Sequence, residues 1–173
     1  MVERMTTSGL EDAFGHHVWA TLHVIDACTS LTREQLTSPV PGTYGSILDT
    51  SRHVVGSDGW YLFVLTEGRV PQIDEDTMEL DELRAVMERH GAEWPLVLRD
   101  GPDPEAVVTV QRLDGTKSHA PAGIRLAQAV HHGTDHRSQI CTGLTALGVE
   151  PPDIDVWAFG DVDGRVFESP PEP

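Results

Sequence analysis

The sequence predicts an all-α protein, a four-helix bundle with a small β-hairpin inserted before the last long helix. Four long segments, near residues 8–30, 46–66, 80–100 and 122–148, carry apolar residues at the spacing of an amphipathic helix. Between the third and fourth segments, residues 105–119 change to a pattern rich in β-branched residues. Amphipathic helices bury their apolar faces against one another, so we expect residues 1–173 to form a single domain.

The first helix is predicted to begin at Ser8, because Ser8 and Glu11 have the spacing of a capping box. It continues to about residue 30 with apolar residues at three- and four-residue steps, namely Leu10, Phe14, Val18, Leu22 and Ile25. A second Thr-x-x-Gln signal begins at Thr32. It predicts at most a short turn before the Pro- and Gly-bearing loop at 37–45.

The second segment, 46–66, is apolar over much of its circumference, and Gly68 and Pro71 after it predict its end. The third segment carries its apolar residues at Leu80, Leu83, Val86 and Met87. Gly91 and Pro95 lie in its second half. Because proline removes a backbone donor and crowds the preceding turn, the sequence leaves two alternatives there: a kinked continuation or a separate short helix.

The remaining elements are predicted from turn residues and from the tail. Asp114-Gly115 between β-branched runs is a strong hairpin signal and predicts a two-stranded ribbon. The fourth long helix follows over 122–148. In the Pro-rich segment after it, we expect Trp157 and Phe159 to pack over the end of the bundle, and residues from about 161 to 173 to be disordered.

Composition excludes several classes of protein. The formal net charge is −16, from 28 acidic and 12 basic residues, which argues against direct binding to nucleic acid because phosphate backbones are bound chiefly by Lys and Arg. We expect no membrane-spanning segment, no export signal and a cytoplasmic location, because no apolar run has the necessary length. Cys28 and Cys141 form no CxxC pattern and are expected to be core residues.

The stretch QAVHHGTDHRSQI, residues 128–140, holds three of the nine histidines. In a helix, His132 and His136 lie about 40° apart and border the apolar stripe, so both imidazoles can meet one ion. Neutral imidazoles that face the core without hydrogen-bond partners are energetically unfavourable, and this favours a bound metal ion. The alternative is a pair of core-edge histidines bonded to neighbouring side chains. His131 points to the other side and is expected to face solvent or to support the site indirectly.

A third ligand is available in the second segment. His53 shares a face with Ser46, Thr50 and Ser57, and these small side chains leave room for an ion and a ligand. Taken alone, His53 also fits a core histidine satisfied by its neighbours. The other five histidines are predicted to lie on helix surfaces, at caps or in loops, with His17 or His23 lining a pocket only if their helix face turns inward: His16, His17, His23, His90 and His119.

Three phrases together resemble a known family. They are SILDTSRHVVGSDGWY, VHHGTDHRSQICTGLTALG and LGVEPPDIDVW, and their order and spacing are similar to those of the DinB superfamily. That group includes thiol-dependent S-transferases and is similar to the mycothiol-dependent maleylpyruvate isomerase domain. The resemblance implies a four-helix bundle in which one histidine of the second helix and an H-x3-H pair of the fourth surround a divalent metal. It carries over to His53, His132 and His136.

The resemblance also has departures and further implications. Family members often have Asn in place of His131, His in place of Asp135 and Gly in place of Ser138, which leaves the three ligands intact. Asp58 stands where an acid is common, and we expect it either to orient a ligand or a water or to lie on the helix surface. Arg137 and Gln139 match residues that are expected to form structural bonds to neighbouring segments.

These features predict a function. Three neutral ligands leave the ion its full charge and an open position, as in catalytic sites, with zinc or nickel favoured and iron or manganese as alternatives. The leading hypothesis is an enzyme that activates a low-molecular-weight thiol, such as mycothiol, for transfer to an electrophilic substrate or for isomerisation. The alternatives are a metal-dependent hydrolase and a non-catalytic, stress-associated metal-binding bundle. The exposed faces of a small bundle also suit a homodimer.

Overall fold

The computed structural model describes residues 8–169 and confirms the four-helix bundle with its hairpin. The helices are α1 (Gly9–Cys28), α2 (Arg33–Thr37), α3 (Ile47–Leu65), α4 (Leu80–Asp100), α5 (Ala122–Ala146) and α6 (Val156–Val162), and the strands are β1 (Val107–Gln111) and β2 (Lys117–Pro121). Helix α3 packs against α4 and α5, and α1 packs against the same two helices from the other side. The four long helices thus enclose one core.

Capping chemistry sets where the first helices begin. The Ser8 hydroxyl accepts a hydrogen bond from the backbone N–H of Glu11 at 3.2 Å, and the Glu11 carboxylate accepts one from the Ser8 N–H at 2.6 Å, as the spacing predicts. Thr32 and Gln35 make the same reciprocal pair and begin α2, whose five residues exceed the short turn that we expected. Ser46 caps α3 in the same way.

Helix α4 runs without interruption through Gly91 and Pro95, so the continuation is the correct alternative. Gly91 permits close packing of α4 on α1, because a Cβ there would lie 2.8 Å from a methyl carbon of Val18. Trp94 and Val97, on either side of Pro95, are buried in the core. Their burial stabilises the last turns of α4 and offsets the backbone hydrogen bond that proline cannot make.

The ribbon is confirmed, with β1 and β2 antiparallel and Val107 opposite Pro121. Its turn differs from a two-residue Asp-Gly turn. The N–H of Arg112 donates to the carbonyl of Thr116 at 2.8 Å, and the N–H of Gly115 donates to the carbonyl of Arg112 at 2.9 Å. Gly115 has φ +84°, so the glycine takes the left-handed position of a three-residue connection.

The segment after α5 contains a helix, α6, that the sequence did not predict. Phe159 packs on α1 as expected, with its ring centroid 5.6 Å from that of Trp19 and its edge against Gly15. The prediction for Trp157 is wrong, because this side chain is 74% exposed. Side chains two residues apart on a helix are separated by about 200° around its axis, so Trp157 and Phe159 face opposite directions.

The predicted disorder concerns residues 161–173, of which 170–173 lie outside the described residues. Residues 161 and 162 end α6. Beyond them, the guanidinium of Arg165 lies 2.5 Å from the carboxylate of Asp12 on α1. Within the described residues, no helix combines the length and the apolarity needed to cross a bilayer.

Apolar side chains form two clusters in the core. The larger lies among α1, α3, α4 and α5, and the smaller lies toward the hairpin, around Phe14 and Trp94. Cys28 is fully buried in the larger cluster, where burial raises the pKa of its thiol to about 12. Cys141 is half-buried and packs against the same cluster. Cys28 is thus a core residue, as predicted, whereas Cys141 lies at the edge of the core.

A polar centre of five side chains, His17, Asp58, His90, Trp94 and Arg137, lies within this core. The Asp58 carboxylate is 2% exposed. It contacts His17 Nε2 at 2.9 Å, His90 Nδ1 at 2.8 Å and Trp94 Nε1 at 3.1 Å. The prediction that His17 and His90 lie on a helix surface, at a cap or in a loop is therefore wrong. The alternative that Asp58 lies on the helix surface is wrong as well. A histidine can be buried when a carboxylate of another helix satisfies its ring nitrogen.

Arg137 completes the polar centre from α5. Its Nη1 donates to His17 Nδ1 at 2.9 Å and to the Thr21 hydroxyl at 3.1 Å. Because Nδ1 of His17 accepts, its Nε2–H is the donor to Asp58. Burial lowers the pKa of Arg137 to about 10 and the charge of Asp58 opposes that fall, so the guanidinium stays protonated at neutral pH. One neutral imidazole thus separates a buried cation from a buried anion.

The pKa of Asp58 reflects these contacts. Burial by itself raises the pKa of this carboxyl, but the contacts with His17 and His90 outweigh burial and lower it from 3.8 to about 2. Two glycines make space for the imidazoles. A Cβ on Gly133 would lie 2.3 Å from His17 Cε1, and a Cβ on Gly59 would lie 3.0 Å from His90 Cε1.

Replacing Asp58 by asparagine tests the polar centre, because Asp58→Asn keeps the shape and removes the charge. We expect the free energy of unfolding at neutral pH to fall by about 3 kcal/mol, since Arg137 loses its buried counter-charge. The ionised carboxylate stabilises the fold above its unfolded pKa of 3.8, and this contribution disappears as pH falls toward about 2. Urea unfolding from about pH 7 to about pH 3 measures both effects.

The difference between wild type and Asp58→Asn should therefore stay constant above about pH 5 and shrink below it. Asp81→Asn is the matched control, since Asp81 is exposed in the first turn of α4, and it should cost less than about 1 kcal/mol. Equal losses in the two variants would contradict the assignment of Asp58 as a buried counter-ion.

Candidate metal centre

Three histidines from two helices meet between α3 and α5. His53 comes from α3, and His132 and His136 come from adjacent turns of α5. One ligand nitrogen from each ring lies within 4.8 Å of the others, an arrangement that could hold a metal ion. The structure brings together the three residues that the sequence analysis selected as ligands.

The spacing of the nitrogens fits coordination of one ion. Nε2 of His132 lies 3.1 Å from Nε2 of His53. Two nitrogens bound to one zinc at about 2.0–2.1 Å lie roughly 3.3 Å apart in a tetrahedral site and roughly 2.9 Å apart when adjacent in an octahedral one. A small rotation of the rings would suffice for either geometry.

The protonation states of these histidines favour a cation. Burial, together with the neighbouring His136 and His53, lowers the pKa of His132 from 6.5 to about 4, while Asp135 opposes the fall. Burial and His136 also lower the pKa of His53. Both rings are therefore neutral at pH 7, and neutral imidazole is the form that binds a metal.

Gln139 fixes the tautomer of His136. Its Oε1 accepts a hydrogen bond from the backbone N–H of Tyr44 at 2.7 Å, which identifies this atom as the amide oxygen because an N–H only donates. The same oxygen lies 3.3 Å from Nδ1 of His136, so that nitrogen carries the proton. The lone pair of His136 is consequently on Nε2, and an outer partner of this kind commonly orients a metal-binding histidine.

Tyr44 covers the histidines from the loop before α3. Its ring is stacked on His53 with centroids 4.1 Å apart and planes 6° apart, and it meets His136 edge-on at 5.4 Å. The sequence analysis did not select Tyr44. The turn residues around it predict a loop, but they do not indicate which helix the loop contacts.

The candidate site is open on one side. All three histidines are half-buried, and His53 borders a cleft of about 340 Å³. The cleft is also lined by Tyr44, Gly45, Asp49, Arg52, Glu75 and Asp76. Glu75 lies over Gly56, where a Cβ would come within 2.3 Å of its carboxyl carbon. A small molecule can thus approach His53 from solvent.

The other residues selected from the sequence lie elsewhere. His131 is exposed, as predicted. Arg137 and Gln139 bond to α1 and to the Tyr44 loop, also as predicted. The carboxylate oxygens of Asp58 contact the residues of the polar centre, so its role in orienting a ligand or a water stays a prediction. The three remaining histidines each form a hydrogen bond away from the candidate site: His16 with the Ile154 carbonyl, His23 with the Trp19 carbonyl, and His119 with the Thr109 hydroxyl.

Comparison with known proteins identifies one family for this chain. No curated protein matches the chain at a significant level. The model of the DinB family matches residues 5–168, a range that contains the whole bundle and all three histidines. The chain therefore belongs to the DinB family.

Proposed function

We propose that this protein is a metal-dependent enzyme that activates a low-molecular-weight thiol for S-transfer or isomerisation. The observation that carries the proposal is the set of three converging, half-buried imidazoles, of which His53 borders an open cleft. The residues fit a divalent ion in number, spacing and protonation state. His53, His132 and His136 would hold it, with zinc or nickel favoured by imidazole ligands.

The charge of the ligand set favours catalysis over a purely structural role. Thiolate or carboxylate ligands would neutralise part of a divalent charge, whereas three neutral imidazoles neutralise none of it. An ion held in this way lowers the pKa of a thiol or a water that binds beside the histidines. The cleft next to His53 gives such a molecule access.

The remaining side chains of the site would have distinct roles. Gln139 holds His136 in the tautomer with a free Nε2. Tyr44 limits the motion of His53 by stacking on it, and it restricts access of water from that side. Neither residue is placed to remove the proton of a thiol, so the acidified thiol would lose its proton to solvent.

The choice of a thiol over water is supported by sequence resemblance. The phrases around His53 and His132 resemble those of DinB-superfamily members that include thiol-dependent S-transferases. The implied partners are a small-molecule thiol, such as mycothiol, and an electrophilic substrate. Hydrolysis by an activated water would use the same three histidines, so an assay of the reaction has to distinguish the two activities.

The metal assignment is tested first. We expect His132→Ala to reduce bound divalent metal per chain to near zero in protein purified without added metal, because two imidazoles bind an ion much more weakly than three. Elemental analysis measures the metal content. His131→Ala is the matched control, since it removes the adjacent, exposed imidazole. Unchanged metal in His132→Ala, or an equal loss in His131→Ala, would overturn the ligand assignment.

The thiol reaction is tested on metal-loaded protein. Mycothiol, bacillithiol and glutathione are each incubated with an electrophilic acceptor, and loss of free thiol is followed together with formation of the thioether. We expect consumption that requires metal and that is at least about 100-fold slower in His132→Ala, since an unactivated thiol is mostly protonated at neutral pH.

Metal-stripped protein and His131→Ala are the controls for this reaction. Thiol consumption that is unaffected by removing the metal would contradict the proposal. Metal-dependent hydrolysis of ester or amide probes without a thiol, combined with no thiol consumption, would support the hydrolase instead.

Gln139 provides a further test of the site. Gln139→Leu removes the acceptor for both His136 Nδ1–H and Tyr44 N–H, and we expect metal affinity to fall about 10- to 100-fold. Gln139→Glu retains an acceptor and should keep affinity close to wild type. Competition with a chromophoric chelator measures both affinities. Equal affinities in the two variants would show that the hydrogen bond from His136 does not position this ring.

A further inference from the structure

A second cationic group lies on the same face of α5 as the candidate ligands. Arg125 precedes His132 by seven residues, so the two side chains leave the helix in nearly the same direction, about two turns or roughly 10 Å apart. Gln128 lies between them on this face. The face packs against α3, which contributes Trp60 and Tyr61.

The charge of Arg125 is not compensated within the described residues. The side chain is 6% exposed, yet no carboxylate of residues 8–169 lies within 4.0 Å of its guanidinium. Its Nη2 donates to the Val108 carbonyl at 3.0 Å, and its Nε is buried without a hydrogen-bond partner in that same part of the chain. An unpaired buried charge is costly, and structures rarely retain one without a compensating group.

The neighbours of Arg125 on α3 are aromatic. Its guanidinium carbon lies 5.8 Å from the ring centroid of Trp60, and the next residue, Tyr61, has its ring centroid 6.4 Å from that of His132. Burial raises the pKa of Tyr61, while a hydrogen bond with the Gln128 side chain and the charge of Arg125 oppose the rise. The ring of Tyr61 thus lies beside both Trp60, which contacts the guanidinium, and His132.

We propose that Arg125, with Tyr61 and Gln128 beside it, is a binding subsite for a carboxylate of the small molecule whose other end reaches the three histidines. This inference rests on the proposed function for the other end of that molecule. A guanidinium binds a carboxylate through two parallel hydrogen bonds, and a phenol and an amide add donors. The subsite would select acidic thiols or acidic acceptors over neutral ones of the same length.

The net charge of the protein makes such a subsite useful for an anionic ligand. A surface with a formal charge of −16 repels anions, so binding needs fixed positive charge inside the site. Arg125 provides that charge in a location shielded from the acidic exterior. An interaction with a guanidinium is also much stronger there than it would be in water.

The subsite is tested without metal by NMR spectroscopy. The Nε–H resonance of Arg125 is assigned by its loss in Arg125→Gln and is followed while metal-free protein is titrated with propionate and, separately, with inorganic phosphate. We expect a saturable shift with propionate at lower concentration than with phosphate. Tighter binding of phosphate would overturn the carboxylate assignment, and absence of any shift would overturn the subsite.

A second test uses thiols of defined length on cobalt-substituted protein, where a thiolate sulfur bound to Co²⁺ gives a charge-transfer absorption. We expect 6-mercaptohexanoate to bind about 10- to 100-fold more tightly than 6-mercaptohexanol, because a charge-assisted hydrogen bond replaces a neutral contact. Arg125→Gln should abolish this preference without lowering the affinity for 6-mercaptohexanol, and Arg125→Lys should keep part of the preference. Mercaptoacetate is too short to reach Arg125, so its affinity should be the same in both variants as in the wild type.

Arg112→Gln is the matched control, since Arg112 is exposed at the tip of the same hairpin. It should leave the preference for the carboxylate intact. A preference that persists in Arg125→Gln, or one that Arg112→Gln also removes, would overturn the subsite. If no thiol gives the cobalt absorption while the propionate shift remains, the proposed thiol chemistry fails and the anion subsite stands.

Discussion

The buried carboxylate of Asp58 is the contact on which the arrangement of the four long helices depends. It accepts from His17 of α1 and from Trp94 of α4, lies against His90 of α4, and belongs itself to α3. Arg137 of α5 joins through the imidazole of His17. Apolar packing tolerates small shifts between helices, whereas these directional contacts fix one relative position. The polar centre thus sets the register of the whole bundle.

That register determines the geometry of the candidate metal centre. Arg137 directly follows His136, and Gly133, which makes room for His17, directly follows His132. The contacts that attach α5 to α1 and α3 therefore also orient the two histidines on its adjacent face. A rotation of α5 that separated His132 from His53 would break the hydrogen bonds of Arg137 as well. The cost of a buried, unpaired guanidinium opposes such a rotation, so the site is preorganised by the core.

Local chemistry explains which features could be predicted from the sequence. The capping box at Ser8 and the pair His132 and His136 follow from residues within one turn of each other. His53 was selected from the small, polar face of its helix, and the resemblance to a family supported that choice. Contacts between distant segments could not be predicted in this way. The burial of His17 depends on a carboxylate 41 residues away, and the stacking of Tyr44 on His53 depends on how a loop folds back over α3. A single sequence records the polarity of such residues and not their partners.

The two buried arginines of α5 differ in whether the fold compensates their charge, and this difference distinguishes a structural residue from a candidate binding residue. Arg137 has an anion within the fold, reached through His17, and four hydrogen bonds to described groups. Arg125 is also buried, at 6% exposure, but it has one such bond and no described carboxylate within ion-pair distance. The full sequence contains 28 acidic residues, so a compensating acid was available to this protein. A buried cation left uncompensated on the helix face that carries His132 is most simply explained by a ligand that brings the missing negative charge.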